Sequence, residues 1–319
     1  MRAVQVTTLD GPEAVRVVDL PEPDPAGKVV VEVHAAGVNF PDVLQTRGLY
    51  QIKPELPFVP GSEVAGTVVS GDGFTVGQRV AAFPGWGGYA ERVAVDPGMV
   101  FPLPDRVSFA AGAALPMNYL TVDFALVRRA ELRAGETVLV HGAAGGIGVA
   151  SIQLAKVLGA TVVAVVSTED KAAVVREAGA DHVVVGAEGF LPQVKELTGG
   201  RGVDVVVDPV GGDRFTDSLR SMAPEGRLLV IGFTAGAIPE VKVNRLLLNN
   251  LSVVGVGWGA FWMRDPAYLQ EQWARLLLFL EDGRLVPLVG STHPLEDAAA
   301  ALLELDERRA RAKVVLAPR

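Results

Sequence analysis

Thr137-Val138-Leu139-Val140-His141-Gly142-Ala143-Ala144-Gly145-Gly146-Ile147-Gly148 is the stretch on which the reading of this chain turns. The apolar run Thr137–Val140 predicts a buried strand, and the glycine-rich turn after it opens onto Val149, Ile152, Leu154, Ala155 and Leu158, apolar residues at helical spacing. Gly159 stops that helix, and Ala160-Thr161-Val162-Val163-Ala164-Val165-Val166 predicts a second buried strand. Small residues at 143 to 145 let the backbone approach a ligand closely. A helix beginning there aims unsatisfied N–H groups and the positive end of its dipole at that ligand, which suits a pyrophosphate. Strand, glycine turn, helix and strand in this order predict the beta-alpha-beta unit of a dinucleotide-binding fold.

The turn departs from the simplest nucleotide fingerprint, because Ala143 stands where the first glycine is expected. With that alanine, His141 to Gly148 resembles the zinc-free, zeta-crystallin-like quinone oxidoreductases of the medium-chain dehydrogenase/reductase superfamily, which carry a His-x-Ala-Ala-Gly-Gly-x-Gly turn. Ala36-Gly37-Val38-Asn39-Phe40-Pro41-Asp42 and Pro60-Gly61-Ser62-Glu63-Val64-Ala65-Gly66 resemble signature segments of the same superfamily, so the match covers both halves of the chain.

Outward from the turn, strands and helices alternate: Glu169–Ala178, His182–Val185, Phe190–Thr198, Val203–Asp208, Arg214–Met222, Arg227–Ile231 and a last strand near Leu251–Val256. This predicts an α/β, doubly wound parallel sheet, with ligands at the carboxyl ends of its strands. Toward the N-terminus the chain reads as short strands between proline and glycine clusters, among them Lys28–Val33 and Val64–Val69. The resemblance makes this a GroES-like β-rich catalytic domain. Asp105–Ala114 reads as a helix start, with Val122–Arg129 continuing as a helix to the domain crossing. Beyond the sheet, Asp265-Pro266 reads as an N-cap opening a helix through Glu281, Pro294 to Arg309 as a helix, and Ala312–Leu316 as a closing strand. In the family this tail returns to the N-terminal domain, giving a discontinuous catalytic domain over 1–118 and 264–319 and a Rossmann domain over 119–263.

Composition excludes several classes. The 319 residues carry a formal charge of −8, which disfavours nucleic acid and anionic membrane as partners. No apolar run approaches the roughly 20 residues that span a bilayer, and the N-terminus lacks signal-peptide character, so a cytoplasmic location is expected. The absence of cysteine excludes disulfides and thiolate metal sites, and the four histidines are too scattered for a metal site. In the superfamily's zinc alcohol dehydrogenases a cysteine ligand sits where Asn39 stands and a histidine where Ser62 stands; only Glu63 agrees. No metal is therefore expected.

The resemblance implies catalytic positions at Asn39, Tyr50 and Thr121. Asn39 aligns with an asparagine at the nicotinamide or its ribose, Tyr50 with an active-site tyrosine, and Thr121 with a threonine near the nicotinamide. The bland alternatives are a turn former, a packed aromatic and a helix cap respectively. Cofactor contacts are expected from Asn39, Thr121, Ala143, Ala144, Gly145, Gly146, Ile147 and Gly148. The strand ends add Ser167, Thr168, Val210, Gly232, Phe233 and Thr234; Lys171, one helical turn on, and Lys313 complete the expected set. Trp258, Phe261 and Trp262 wall an acceptor pocket or pack a subunit interface, and the neighbouring strand is where family dimers pair, so a homodimer is expected.

NADPH is the expected cofactor. No acidic side chain ends the second strand; Ser167 and Thr168 leave room for a 2′-phosphate and Lys171 supplies charge. Glu169 and Asp170 read as first-turn acids with Thr168 as cap. Val185-Gly186 stands where the family often has a tyrosine supporting the phosphate. Without a metal, hydride must go to an acceptor that delocalises the resulting charge, such as a quinone or conjugated enone. An enoyl-thioester or 2-alkenal reductase uses the same cofactor, and a non-catalytic NADPH-binding redox sensor is the reading from another class.

Overall fold

The computed structural model describes residues 1–186 and 188–318. It separates into two compact units, Met1–Leu120 with Asp265–Arg319, and Thr121–Arg264.

The first unit is built on Val29–Val38, a ten-residue strand that pairs antiparallel with Glu63–Ser70, Arg92–Val95 and Lys313–Ala317. Arg79–Ala82 and Val100–Pro102 extend the sheet beyond Glu63–Ser70. Val31, Val33, Val64, Val80, Val95, Leu302, Val314 and Leu316 form its core. At roughly 1.5–3 kcal/mol for each fully buried side chain of this size, the C-terminal residues are held by burial as well as by the ladder. Register places Val314 opposite Val38 and Leu316 opposite Ala36, which brings Lys313 to the end of the strand where Asn39 begins the helix Phe40–Thr46.

The tail differs from the expected helix over Pro294–Arg309. Val289–Pro294 is a strand parallel to Lys313–Ala317, and the helix is the shorter Ala298–Asp306. Ser291, Thr292 and His293 lie on an edge strand whose exposure alternates, so no apolar run marks it. The helix expected from Asp265-Pro266 starts later, at Tyr268, and ends at Glu281 as expected. The carbonyls of Asp265 and Pro266 accept from Tyr268 and Leu269 N–H, so these two residues form the turn before the helix.

The second unit is α/β, with a six-stranded parallel sheet in the order His182–Val185, Thr161–Val166, Thr137–Val140, Val203–Asp208, Met222–Val230, Ser252–Gly255. Val138, Leu139, Val163, Val206 and Leu228 are fully buried. Helices cover both faces of such sheets, which is why the strands read as continuous apolar runs and not as alternation. The fifth strand begins at Met222, earlier than the expected Arg227: Met222 pairs with Val203 and Arg227 with Val205, with an irregularity between the two pairs. Leu115–Asp123 is one α-helix, and Phe124–Arg129 continues it as a π-helical turn.

Candidate functional site

In the second unit the candidate site is made of backbone. Gly145 is the N-cap of the helix Gly146–Val157, so the N–H groups of Gly146, Ile147 and Gly148 have no acceptor within that helix. Ala143 and Ala144 are buried, and the turn is tied down by bonds from Gly145 N–H to Gly142 O (3.0 Å) and from Ala143 N–H to Val165 O (3.3 Å). A Cβ at Gly148 would strike the carbonyls of Gly142 and Ala143, whereas one at Gly145 would meet only Gly142 O, at 3.4 Å. Gly148 is thus demanded by the fold, while the space over Gly145 is open to a ligand. Backbone donors at a helix start, with no side chain in front of them, fit the pyrophosphate of a dinucleotide.

Two further loops border this turn. Asp208 accepts from the N–H groups of Val210 and Gly211, both at 2.9 Å, and the Val210 side chain packs against Gly142. Val210 is buried, so it backs the turn more than it faces outward. Thr234 and Ala235 N–H donate to Pro209 and Val210 carbonyls, hanging the loop from Gly232 beside it, with Phe233 38 % exposed. Ser167 and Thr168 are exposed at the end of Thr161–Val166. Thr168 occupies the N-cap position, but its side chain makes no capping bond. Glu169 pairs with Arg176 at 3.2 Å along its own helix. Lys171 lies one residue past Asp170 in that helix, half-buried.

His141, the first residue of the motif, serves the fold. Its Nε2 donates to Ser218 Oγ at 2.8 Å, because that hydroxyl gives its own proton to Arg214 O. Burial, with help from Arg214, pushes its pKa down to about 3, so the ring is neutral. Thr121 lies within the helix Leu115–Asp123, not at its start, so capping is not its role. Phe261 packs on Phe124 with ring centroids 5.1 Å apart and under the Arg128 guanidinium at 4.4 Å; Trp258 and Trp262 lie 6.0 Å apart. The aromatic cluster therefore covers the π-helical turn of its own unit.

The first unit holds a different kind of site, a buried network that sequence reasoning finds only in part. Asn39, Asp42, Glu63, Tyr89, Asn118 and Lys313 meet there, none more than 6 % exposed. Asn39 Oδ1 accepts from Lys313 Nζ at 2.6 Å and from Asn118 Nδ2 at 3.2 Å, while its Nδ2 donates to Glu63 Oε1 at 2.8 Å. Lys313 Nζ also donates to Glu63 Oε1, and Met117 N–H to Glu63 Oε2 at 2.6 Å. Asp42 Oδ2 accepts from Asn39 N–H at 2.8 Å and from the Tyr89 hydroxyl at 2.7 Å. Burial pushes the Asp42 carboxyl up to about 6, opposed by those two bonds and by the charge of Lys313.

Lys313, expected among the cofactor contacts, is therefore an internal cation whose ammonium is already bound. Asn39, expected to meet the nicotinamide or the acceptor, has its carbonyl oxygen committed to Lys313 and Asn118. Tyr50 is half-buried, and burial and the charge of Asp42 both raise its pKa, which keeps the hydroxyl a donor. Ser62 Oγ stands 3.4 Å from Asn39 Nδ2. An amide, a hydroxyl and one carboxylate held by an ammonium do not fit a zinc ion. Among the described residues, no three histidine, cysteine, aspartate or glutamate side chains gather as a metal site.

Residues 25–105 match the alcohol dehydrogenase GroES-like domain, and 146–281 the zinc-binding dehydrogenase family. The quinone oxidoreductase-like protein 2 of Bos taurus is 39 % identical over 93 % of this chain and 86 % of its own length. The chain belongs to the quinone oxidoreductase branch of the medium-chain dehydrogenase/reductase superfamily. Solved members of the superfamily share its fold. A probable oxidoreductase from Mycobacterium abscessus matches with a TM-score of 0.90 and 48 % identity, covering 100 % of this chain and 99 % of that one. The quinone oxidoreductase from Thermus thermophilus, solved also in complex with NADPH, matches with a TM-score of 0.86 and 38 % identity over 99 % of this chain and 100 % of that one.

Proposed function

We propose that this quinone oxidoreductase-branch chain is an NADPH-dependent oxidoreductase that delivers hydride to a quinone or related conjugated carbonyl without a metal. The observation that carries the reading is the Lys313 ammonium on Glu63 and Asn39, at the positions where zinc dehydrogenases hold their metal. With no Lewis acid to hold an alkoxide, the acceptor itself must delocalise the charge that hydride brings. Bound NADPH supplies the hydride. The N–H groups of Gly146, Ile147 and Gly148 hold its pyrophosphate, with Ala143, Ala144 and Gly145 leaving room above them. Ser167, Thr168 and Lys171 receive the 2′-phosphate; Glu169, turned to Arg176, does not contest it. Within the second unit, Thr121, Val210 and Gly232–Thr234 are assigned to the nicotinamide half of the cofactor; within the first, Asn39 is assigned to the nicotinamide and the Tyr50 hydroxyl to the acceptor oxygen, to which it donates. The second hydrogen enters as a proton from solvent.

We propose further that the protein is a homodimer. Ser252–Gly255 is the last strand of its sheet, with one edge unpaired among the described residues, and Val243, Leu247 and Leu248 beside it are each more than 70 % exposed.

The test is to follow nicotinamide absorbance with NADPH or NADH and a panel of quinones, enals, enoyl thioesters and simple ketones, using protein whose solution mass has been measured. A species of dimer mass should oxidise NADPH faster than NADH with quinones and leave simple ketones untouched, with chelator making no difference. Reduction of ketones that chelator abolishes would refute the metal-free reading.

A further inference from the structure

The buried network around Asn39 holds two carboxylates and one ammonium. Lys313 neutralises Glu63 by direct contact. Asp42 has no cation of its own among the described residues: the groups bonded to it are the Tyr89 hydroxyl and the Asn39 N–H, both neutral donors. The charges facing Asp42 are Lys313 and Glu63, which oppose each other, and Tyr50 and Tyr89 stay protonated beside it. Asp42, Glu63 and Lys313 are all 4 % exposed or less, so water does little to screen them. Asn39 joins both carboxylates, through its main-chain N–H to Asp42 and through its side-chain amide to Glu63.

We propose that this network carries a net negative charge whose field favours the oxidised, positively charged nicotinamide over the reduced, neutral one. The proposal rests on the reading that Asn39 meets the nicotinamide. Hydride takes two electrons with its hydrogen, so the ring gains a unit positive charge as the acceptor gains a negative one. A fixed anion behind Asn39 lowers the cost of that change, and it is already in place before reaction. Asp42 and Glu63 touch neither cofactor nor acceptor. They act by field, and Asp42 also by holding the Asn39 main chain at the start of its helix. Such a field distinguishes the two oxidation states, whereas packing alone affects both alike.

The experiment compares dissociation constants for NADP+ and NADPH at neutral pH and fixed ionic strength. Asp42→Asn keeps an oxygen to accept from Tyr89 and Asn39 but removes the charge. It should weaken NADP+ roughly tenfold more than it weakens NADPH, the scale of one charge acting across about 10 Å at an effective dielectric of about 20. Glu63→Gln should shift the ratio in the same direction and stands in if Asp42→Asn does not fold. Lys313→Met, which leaves both carboxylates uncompensated, should shift it in the opposite direction. A ratio within twofold of the parent in the folded variants overturns the proposal while leaving the cofactor assignment intact. A parent that binds neither NADP+ nor NADPH overturns the cofactor assignment and this proposal with it.

Discussion

The glycine turn of the second unit and the polar network of the first are built on opposite principles. The turn uses main-chain N–H groups from consecutive residues, 146 to 148, and its side chains matter mainly by being small. The network uses side chains from residues 39, 42, 63, 89, 118 and 313, brought together by a sheet and two helices. A backbone site tolerates a change wherever the backbone itself is not crowded. A buried charged site tolerates few single changes, because each member satisfies another.

The largest effect should come from breaking the network. Lys313→Met leaves Glu63 buried and unpaired, at a cost of about 3–5 kcal/mol in denaturant unfolding. The double variant Lys313→Met with Glu63→Gln should recover most of that loss, since no uncompensated charge remains from the pair; a double variant no more stable than the single would mean that the two residues are not mutually dependent. The turn should behave differently at positions three residues apart. Gly148→Val drives a Cβ into two carbonyls and should cost about 3 kcal/mol of stability as well as NADPH binding. Gly145→Val should abolish NADPH binding while leaving the melting temperature nearly unchanged. If both glycine variants melt alike, the contrast between a crowded and an open position does not hold.

The smallest effect is a pH dependence. The Asp42 carboxyl lies near 3.8 when unfolded and is pushed up by burial to about 6 when folded. Between these values the folded state binds more protons, so this group stabilises the fold at low pH and that stabilisation fades as pH rises through 6. From about pH 7 down to about pH 4.5 the parent should gain about 2 kcal/mol from this group. Asp42→Asn should lack that gain; parallel stability profiles for parent and variant would rule the shift out.

The same contrast explains what can be read from sequence. The turn, its flanking strands and the parallel sheet show in local patterns, because burial on both faces writes continuous apolar runs such as Thr161–Val166. The network shows in no window. Asn39 and Glu63 stand out only through resemblance, and Asp42, Tyr89 and Asn118 carry no periodic signal, since two lie on separate helices and Tyr89 outside any strand, and only the fold brings them to Glu63 and Lys313. Val289–Pro294 escapes for a related reason: an edge strand of serine, threonine and histidine lacks the apolar face by which strands are recognised. Thr121 reads as the start of the helix that continues over Val122–Arg129, yet the helix runs from Leu115 through Asp123.

The pairing of Lys313–Ala317 with Val29–Val38 also sets an order of events during synthesis. Residues 121–264 form a compact unit of their own and emerge from the ribosome before residue 313 does. Until that last strand arrives, the carboxylate of Glu63 has no ammonium to meet, and the nascent N-terminal sheet must wait with one edge open. The nucleotide-binding unit can thus mature first, while the chemistry around Asn39 is completed only once Lys313 has been translated.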